Sequence, residues 1–289
     1  MTSRALLAVP LLLLAVAACA PVDEETGDSA PDPTPTSEDQ CANDQLPLLE
    51  SGTLTIGTDS PAFPPWFKGD DPTNGKGYES AVAYAVAEEL GFSDDEVTWV
   101  TVPFNSSFQP GAKDFDFDIN QISITPARAE AVDFSDGYYE AAQAVIALED
   151  TRIADAGSVA ELADYNLGAQ TGTTSLTAIR DVIGPANEPA VFEDTNAAKQ
   201  ALLNGQVDGI LADLPTAFFI TAVEIPEATI IGQFQPDTGQ QEEFGMLFEK
   251  GSELVPCVNE ALATLRDDGR LDQIEQEWLS DVVDVPELQ

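Results

Sequence analysis

The sequence predicts an α/β fold with largely parallel sheets, arranged in two lobes. Segments with strand-like alternation and segments with helical periodicity follow one another along most of the chain, which is typical of α/β proteins. The 289 residues are 43% hydrophobic, so the chain can bury a sizeable core. About 249 residues run from Cys41 to the end, which is large for a single sheet and favours two lobes.

The first two elements are predicted from periodicity and glycine stops. Residues 53–58 alternate between polar and apolar side chains around Gly57, so we expect a strand there. Residues 76–90 carry apolar side chains at helical spacing and are followed by Gly91. This pattern predicts a helix that ends at a glycine.

Two more strands are expected over residues 97–102 and 117–124. Directly after them, Thr125 is suited to cap a helix and Pro126 suits the first helical position. We therefore expect a short helix to begin at this point.

The rest of the chain continues the alternation. The remaining strands are predicted at residues 144–148, 167–170, 207–212 and 244–248. The remaining helix starts are predicted at the capping box Ser158 to Glu161, at Thr171-Gly172-Thr173-Thr174, at Thr195 for a helix reaching Leu203, and at Asp213. Two helices are expected to close the chain.

Charge and composition exclude several functional classes. The chain has 52 Asp and Glu against 11 Lys and Arg, a formal charge of −41. A nucleic-acid binder or a protein that docks on anionic lipid needs a basic surface instead. The chain has no His, which excludes Ser-His-Asp hydrolysis and His-ligated metal sites. We expect neither a cofactor nor a metal.

The N-terminal residues predict export and a lipid anchor. A short positive region ending at Arg4 precedes an apolar run over residues 5–16, which is typical of a signal peptide covering residues 1–18. The run ends in small residues before Cys19, which resembles a bacterial lipobox with a lipidated cysteine. Residues 19–40 are acidic and rich in Pro, so we expect a disordered tether. The protein would then be lipid-anchored at the outer face of the cell membrane.

Two further cysteines remain, Cys41 and Cys257. In an oxidising exported compartment an even pair favours a disulfide, and two buried free thiols are the alternative.

Several segments together resemble one known family. They are SGTLTIGTDSPAFPPWF, NGKGYESAVAYAVAEELG, FDFDINQISITPARAEAVDFSDGYY, NLGAQTGTTSL, NAAKQALLNGQVDGILAD and FGMLFEKGSELVPCVNEALATLRDDGRLDQIEQEWL. In this order and spacing, from Leu54 to Leu279, they resemble the extracellular solute-binding proteins, family 3, of polar amino acid ABC importers.

The resemblance implies the type II periplasmic binding fold, with a hinge of two crossing strands and a ligand cleft between two lobes. Lobe 1 would comprise residues 41–140 and 243–289, and lobe 2 residues 141–242. The implied function is non-catalytic: a monomer captures an amino acid by lobe closure and delivers it to the permease and ATPase subunits of an ABC importer.

Arg128 is the expected ligand for the amino acid's carboxylate. Arginine suits bidentate carboxylate recognition, and Arg128 matches the family's carboxylate-binding arginine. The family also implies that Thr171, Gly172, Thr173 and Thr174 complete this site, while plain helix capping is the alternative.

Asp213 is implied to bind the α-ammonium, with a helix N-cap as the alternative reading. Ser123 is expected to help bind the ammonium or the carboxylate. Thr125 is equally a helix cap or a ligand contact.

Side-chain specificity is expected from lobe 1. Asp59, Phe63 and Trp66 follow the first strand and would suit a cationic side chain, with core packing as the alternative for Trp66. Phe104 and Phe108 are further candidates for the wall of the pocket. Asn120 and Gln121 offer neutral hydrogen-bonding groups, which suit a polar neutral amino acid. We expect a basic or polar neutral ligand.

Two alternatives remain open. Some proteins of this fold are small-acid dehydratases, for which Glu79, Asp59 and Asp116 are available carboxylates. A ligand-sensing receptor module is the other. Asp114, Asp116 and Asp118 share one strand face, and we expect a solvated edge there rather than a calcium loop.

Overall fold

A computed structural model describes residues 41–236, 241–279 and 285–289 of the chain, all within the unit Thr36–Gln289. The predicted signal peptide, the lipidation site at Cys19 and the tether over residues 19–40 lie outside the described residues.

The helices begin and end close to their capping signals. The α-helices are α1 (Tyr78–Glu89), α2 (Phe104–Ser107), α3 (Pro126–Ala129), α4 (Thr174–Ala178), α5 (Thr195–Leu203), α6 (Leu214–Phe219), α7 (Val255–Asp267) and α8 (Arg270–Leu279). Single 3₁₀ segments lie at Asn43–Gln45, Pro72–Asn74, Asp94–Glu96, Arg152–Asp155 and Val159–Asp164, and π-helical turns extend α4 over Ile179–Ile183 and α6 over Ile220–Glu224.

The first sheet contains five strands in the order β2-β1-β3-β12-β4. These strands are β1 (Leu54–Thr58), β2 (Val97–Thr101), β3 (Phe117–Asp118), β4 (Val132–Phe134) and β12 (Leu247–Glu249). β1 is parallel to β2 and β3, whereas β12 is antiparallel to β3 and β4.

The second sheet contains five strands in the order β10-β6-β9-β7-β8. These strands are β6 (Gln143–Leu148), β7 (Leu167–Gln170), β8 (Ala190–Phe192), β9 (Gly209–Asp213) and β10 (Ala228–Phe234). β7 is parallel to β8 and β9, and β6 is antiparallel to β9 and β10.

Two antiparallel strands connect the sheets. β5 (Tyr139–Ala141) pairs with β11 (Glu242–Phe244), and the chain continues from β5 into β6 and from β11 into β12. In each sheet one strand that follows the connection, β12 in the first sheet and β6 in the second, runs antiparallel to the other four. The expectation of largely parallel sheets is therefore confirmed, with one reversed strand in each sheet. The lobe boundaries 41–140, 243–289 and 141–242 remain a prediction.

Apolar side chains are buried on both faces of each sheet. One face of the first sheet packs Ile56 and Phe117 under α1 and α7, and its other face packs a smaller cluster around Phe115. The second sheet likewise carries one buried cluster on each face. The predicted disulfide is confirmed: Cys41 and Cys257 are bonded, with Cα atoms 5.3 Å apart, and join the first described residues to α7.

The C-terminal residues extend the second sheet. Glu287 pairs with Gln233 of β10, and the Leu288 N–H donates to the Gln233 carbonyl at 2.9 Å. Leu288 is buried in a cluster of the second sheet, against Gly232. The chain end is thus a packed part of the fold.

Four elements differ from the sequence prediction. The strand expected over residues 117–124 is much shorter, because Gln121 adopts a left-handed φ of 48° that ends the extended backbone. The helix expected to be capped by Thr195 is capped by Asp194, whose Oδ1 accepts from the Ala197 N–H at 2.7 Å. The strand expected over 244–248 is split between β11 and β12. The capping box at Ser158 opens a 3₁₀ segment.

Among the described residues, no helix combines the length and the apolar character needed to cross a bilayer.

Candidate functional site

A cleft of about 390 Å³ lies between the two sheets, and most predicted site residues line it. The predicted residues that line it are Asp59, Phe63, Asn120, Gln121, Ser123, Arg128, Thr173, Thr174 and Asp213. Trp66, Thr171 and Gly172 are not among the lining residues. The lining residues follow the ends of strands from both sheets, which is where ligands bind in open α/β sheets.

Arg128 is a buried cation in α3, the short helix that follows β3 along the chain. Its Nη1 donates to the Ser123 carbonyl at 2.7 Å, and its Nη2 donates to the Gly172 carbonyl at 2.9 Å. No Asp or Glu of the described residues forms an ion pair with it. Burial lowers the pKa of Arg128 to about 10, so the guanidinium stays charged at neutral pH. Guanidinium donors therefore remain for a carboxylate.

Two aromatic rings hold the guanidinium from its sides. The Arg128 Cζ atom lies 4.7 Å from the centre of the Phe108 ring and 5.5 Å from that of Phe104. Aromatic faces attract a guanidinium and keep water away from it. Phe104 also lines the cleft, whereas Phe108 acts only behind Arg128.

Gly172 joins the two sides of the cleft through its backbone. Its φ is +77°, and a Cβ built there would lie 1.9 Å from Oδ1 of Asn105. Only glycine fits this position, which lets the Gly172 carbonyl reach Arg128 on the other side. Gly172 is thus a support for the guanidinium rather than a lining residue.

The two threonines after Gly172 have different partners. Thr173 caps α4, because its Oγ1 accepts from the Leu176 N–H at 3.1 Å and donates to the Gln170 carbonyl at 2.8 Å. The Thr174 hydroxyl lies 3.2 Å from that of Ser123 across the cleft. Thr173 is therefore a helix cap, as in the alternative interpretation. The Thr174 hydroxyl takes no part in capping and lies on the cleft, where a ligand could contact it.

Ser123 belongs to a polar network that the sequence reasoning missed. Its hydroxyl donates to Glu242 Oε1 at 2.6 Å, and Glu242 Oε2 accepts from Gln143 Nε2 at 2.9 Å. Glu242 lies on β11 in the connection between the sheets, so no local sequence signal links it to Ser123. Thr125 is a helix cap: its Oγ1 accepts from the Arg128 N–H at 3.2 Å.

Asp213 ends β9 and faces the cleft from the second sheet. Its Oδ1 accepts from the Thr216 N–H at 3.0 Å, so it also caps α6. Burial raises the pKa of Asp213 to about 6, against the lowering effect of the hydrogen bonds from Thr216. One carboxylate oxygen is left for a cation in the cleft.

Asp59 and Phe63 line the cleft, but Trp66 does not. Asp59 accepts from the backbone N–H groups of Ser60 at 2.7 Å and Phe104 at 3.0 Å, which fixes its position. Trp66 is 0% exposed, and its Nε1 donates to Thr216 Oγ1 at 2.8 Å. The ligand-wall prediction for Trp66 is therefore corrected: its large apolar ring is packed in the core of the first sheet.

Glu79 is a fully enclosed carboxylate beneath Gln121. Its Oε1 accepts from the Gln121 N–H at 2.6 Å, and the Gln121 side-chain amide and the Tyr138 hydroxyl also donate to it. Burial raises the pKa of Glu79 to about 7 despite these donors. The two hydrogen bonds from Gln121 to Glu79 hold Gln121 in its left-handed backbone conformation. The sequence pattern alone did not indicate this conformation.

Asp116 and Asp118 of the acidic strand face are buried, whereas Asp114 is exposed. Asp116 is 6% exposed and accepts from the N–H groups of Leu49 and Thr55, and Asp118 is 0% exposed. The expectation of a solvated strand edge is thus wrong for both residues, because β3 is a central strand of its sheet. In the described part of the chain, no group of three or more potential ligands is arranged to hold a metal ion.

Several lining residues were not predicted. They include Thr101, Asn105, Gln143, Gln170, Glu193, Asp194, Thr195 and Thr216. Most lie at the ends of strands or in the segments that follow them. Their position after strand ends could have indicated them from the sequence, because ligands of open α/β sheets bind there.

Comparison with known proteins gives a consistent family. The family model described as bacterial extracellular solute-binding proteins, family 3, matches residues 54–281. The L-cystine-binding protein TcyA of Bacillus subtilis is 29% identical over 97% of this chain and 98% of its own length. Among solved structures, the arginine-, lysine-, histidine-binding protein ArtJ of Geobacillus stearothermophilus is 26% identical, with a TM-score of 0.66 over 79% of this chain and 95% of its own.

A second similar structure bears on the enzyme alternative. An ancestral amino acid-binding protein, AncCDT-1, described as a precursor of cyclohexadienyl dehydratase, is 28% identical. Its TM-score is 0.63 over 78% of this chain and 95% of its own.

Proposed function

Because the chain belongs to the bacterial extracellular solute-binding proteins of family 3 and has their type II periplasmic binding fold, we propose that it captures an amino acid and delivers it to an ABC importer. The observation that carries this proposal is Arg128, a buried guanidinium without a carboxylate partner among the described residues, in one cleft with Asp213. An amino acid supplies a carboxylate for the first group and an ammonium for the second.

Capture requires that the ligand contact both sides of the cleft. Arg128 comes from the first sheet's side and Asp213 from the second's, so a bound amino acid would stabilise closure. The Arg128–Gly172 and Trp66–Thr216 hydrogen bonds already cross the cleft and support a closed arrangement. The closed protein would then dock on the permease and ATPase assembly as a monomer.

The charges of the cleft favour an amino acid with a basic side chain. Asp59, Glu193 and Asp194 line the cleft in addition to Asp213, against Arg128 as the one lining Lys or Arg of the described part. After the ligand's carboxylate has paired with Arg128 and its ammonium with Asp213, the carboxylates of Asp59, Glu193 and Asp194 are left to face a cationic side chain. The rings of Phe63 and Phe104 add apolar walls for the aliphatic part of such a side chain. Each ring already lies beside a cation of the protein: Lys199 Nζ is 5.5 Å from the centre of Phe63, and Arg128 Cζ is 5.5 Å from that of Phe104.

A polar neutral amino acid is the second candidate. Asn120 and Gln121 both line the cleft and can hydrogen-bond to an amide side chain. The names of the relatives cover both possibilities, since ArtJ is described as binding basic amino acids and TcyA as binding cystine.

Binding without catalysis is part of the proposal. A dehydratase needs a carboxylate that can approach the substrate, but Asp116 accepts backbone N–H groups outside the cleft and Glu79 is fully buried under three donors. Asp59 lines the cleft with its carboxylate held by two backbone N–H groups. The similarity to a dehydratase precursor keeps an assay for cyclic-acid turnover worthwhile.

We also propose a lipid anchor at Cys19, which would hold the protein on the outer face of the cell membrane. The lipobox-like residues before Cys19 and the extracellular character of the family support it. Labelling of the wild type, but not of Cys19→Ser, by a fatty acid would agree with this anchor. Equal labelling of both proteins would contradict it.

The function is tested by screening all common amino acids against the exported chain carrying Cys19→Ser, after ligand removal. A ligand at 100-fold its Kd adds about 2.7 kcal/mol of stability, which a thermal shift detects. Shifts with arginine, lysine or ornithine support the basic ligand, and shifts with glutamine or asparagine support the neutral one. No shift with any amino acid, confirmed by calorimetry, would contradict the proposal.

A further inference from the structure

Asp118 is a buried carboxyl group that the ligand contacts described above do not use. It is 0% exposed, and neither of its carboxyl oxygens has a hydrogen-bond partner among the described residues. Leaving such a group unpaired in a protein interior costs free energy, and each case calls for an explanation.

The surroundings of Asp118 are shaped to admit it. Gly57 lies opposite Asp118 in the β1–β3 pair, and a Cβ built on Gly57 would lie 2.6 Å from Asp118 Oδ2. The same Cβ would lie 3.0 Å from Val102 and 3.1 Å from Phe115. The absence of a side chain at Gly57 therefore creates the space in which the carboxyl group sits, beside the side chains of Val102 and Phe115.

Asn120 is the polar neighbour of Asp118 on the cleft side. Phe117 and Ile119 pack in the core on one face of the first sheet, so Asp118 points to the opposite face. Asn120, two residues further and beyond the end of β3, lines the cleft. The Cα atoms of residues two apart are separated by at most about 7 Å, so one water molecule could bridge the two side chains.

The unpaired atoms of these two residues are complementary. The buried Nδ2 of Asn120 has no partner in the described part of the chain, and it is a donor. Each unpaired oxygen of Asp118 can accept a hydrogen bond. With the nitrogen enclosed, the carbonyl end of the Asn120 amide is the end left for the cleft.

We propose that Asp118 is a positioning residue that holds the Asn120 amide with its carbonyl towards the ligand, so that the cleft selects amino acid side chains ending in hydrogen-bond donors. This inference rests on the proposed function, because it assumes an amino acid ligand. Arginine, lysine and glutamine carry such donors, whereas the glutamate side chain offers only acceptors at neutral pH.

The protonation of Asp118 agrees with this role. Burial raises its pKa well above the ordinary range, Glu79 and Asp59 raise it further, and Lys113 opposes them. A neutral carboxyl group avoids the cost of a buried charge and still offers a carbonyl oxygen to the Asn120 Nδ2.

The test compares Asp118→Leu, Asp118→Asn and Asn120→Leu in the Cys19→Ser chain. The affinity for the tightest-binding of arginine, lysine and glutamine is measured by calorimetry, and the affinity for alanine by displacement of that ligand. We expect Asp118→Leu to lower the affinity for that ligand about tenfold relative to the affinity for alanine. Asp118→Asn should keep the wild-type preference, because an amide still offers a hydrogen-bond acceptor. Asn120→Leu should also lower the affinity for that ligand, while Asp118 is left in place.

Coupling decides whether Asp118 acts through Asn120. In the Asn120→Leu background, Asp118→Leu should cause no further loss of preference. An equal change for alanine and for the donor-ended ligand would overturn the proposal, as would a wild-type preference for glutamate. If Asp118→Leu does not fold, an unchanged preference in Asn120→Leu would overturn it. Failure of the wild type to bind any amino acid would instead refute the proposed function.

Discussion

The affinity for the amino acid should fall steeply as the pH drops through 6. The perturbation is the protonation of Asp213, whose pKa burial raises to about 6 in the unliganded protein. A protonated Asp213 cannot pair with the ligand's ammonium, so only the ionised form binds well. At pH 5 about one tenth of the molecules are ionised, which gives an apparent Kd about tenfold above its value at pH 7.

The sign follows from linkage. The ligand's ammonium favours the ionised carboxylate and lowers its pKa, so binding releases a proton between about pH 5 and pH 7. Isothermal titration calorimetry at several pH values, in buffers with different ionisation enthalpies, measures both the Kd and the protons released. In the same range, the unliganded protein should lose stability as the pH rises, because the native state gives up the proton at a higher pH than the unfolded chain.

Glu79 is the main competing source of a pH effect, because its pKa is raised to about 7. Glu79→Gln removes this titration while keeping a side chain of similar size. The midpoint near pH 6 should persist in Glu79→Gln. A constant Kd between pH 5 and pH 7 in the wild type would refute the reasoning, and loss of the dependence in Glu79→Gln would reassign it to Glu79.

Three further predictions concern the fold and its closure. Cys257→Ser should lower the free energy of unfolding by up to about 5 kcal/mol, because the Cys41–Cys257 bond closes a loop with a sequence separation of 216. Urea denaturation measures this loss of stability, and reduction of the wild-type disulfide should cause the same loss. Trp66→Phe should weaken ligand binding about fivefold by calorimetry, because it removes a hydrogen bond across the cleft, whereas an effect on stability alone would contradict a role in closure. Leu288→Ala should cost about 2 kcal/mol in the same denaturation assay, since the side chain is buried on the second sheet, and an unchanged midpoint would show that the C-terminal residues do not contribute.

Local sequence signals predicted the elements that depend on neighbouring residues. Thr125 and Pro126 marked the start of α3, because capping and a fixed proline φ act within one turn. Alternation over residues 53–58 and the glycine after residue 90 placed β1 and the end of α1 within a few residues. The fold family followed from the order of several such segments.

Long-range contacts account for the elements that the sequence did not predict. Gln121 ends β3 early because Glu79, 42 residues away, accepts from its backbone and side chain. The strands β4, β5, β8 and β10 were missed, since three of them have only three residues and pairing with distant strands stabilises them.

The candidate site shows the same division. Arg128 and Asp213 could be assigned because each lies at the start of a helix or the end of a strand within a recognisable motif. Trp66 was ambiguous, because an aromatic residue after a strand can point into the cleft or into the core. The enclosure of Asp118 depends on Gly57 of a neighbouring strand, which no local pattern indicates.

Calorimetric titration of Arg128→Ala tests the central claim most directly. The best amino acid ligand of the wild type is titrated into Arg128→Ala and into Arg180→Ala, which removes an exposed arginine as the matched control. Losing the carboxylate's buried partner should weaken binding at least about 100-fold, or about 3 kcal/mol, whereas Arg180→Ala should bind like the wild type. Wild-type affinity in a folded Arg128→Ala would contradict the account.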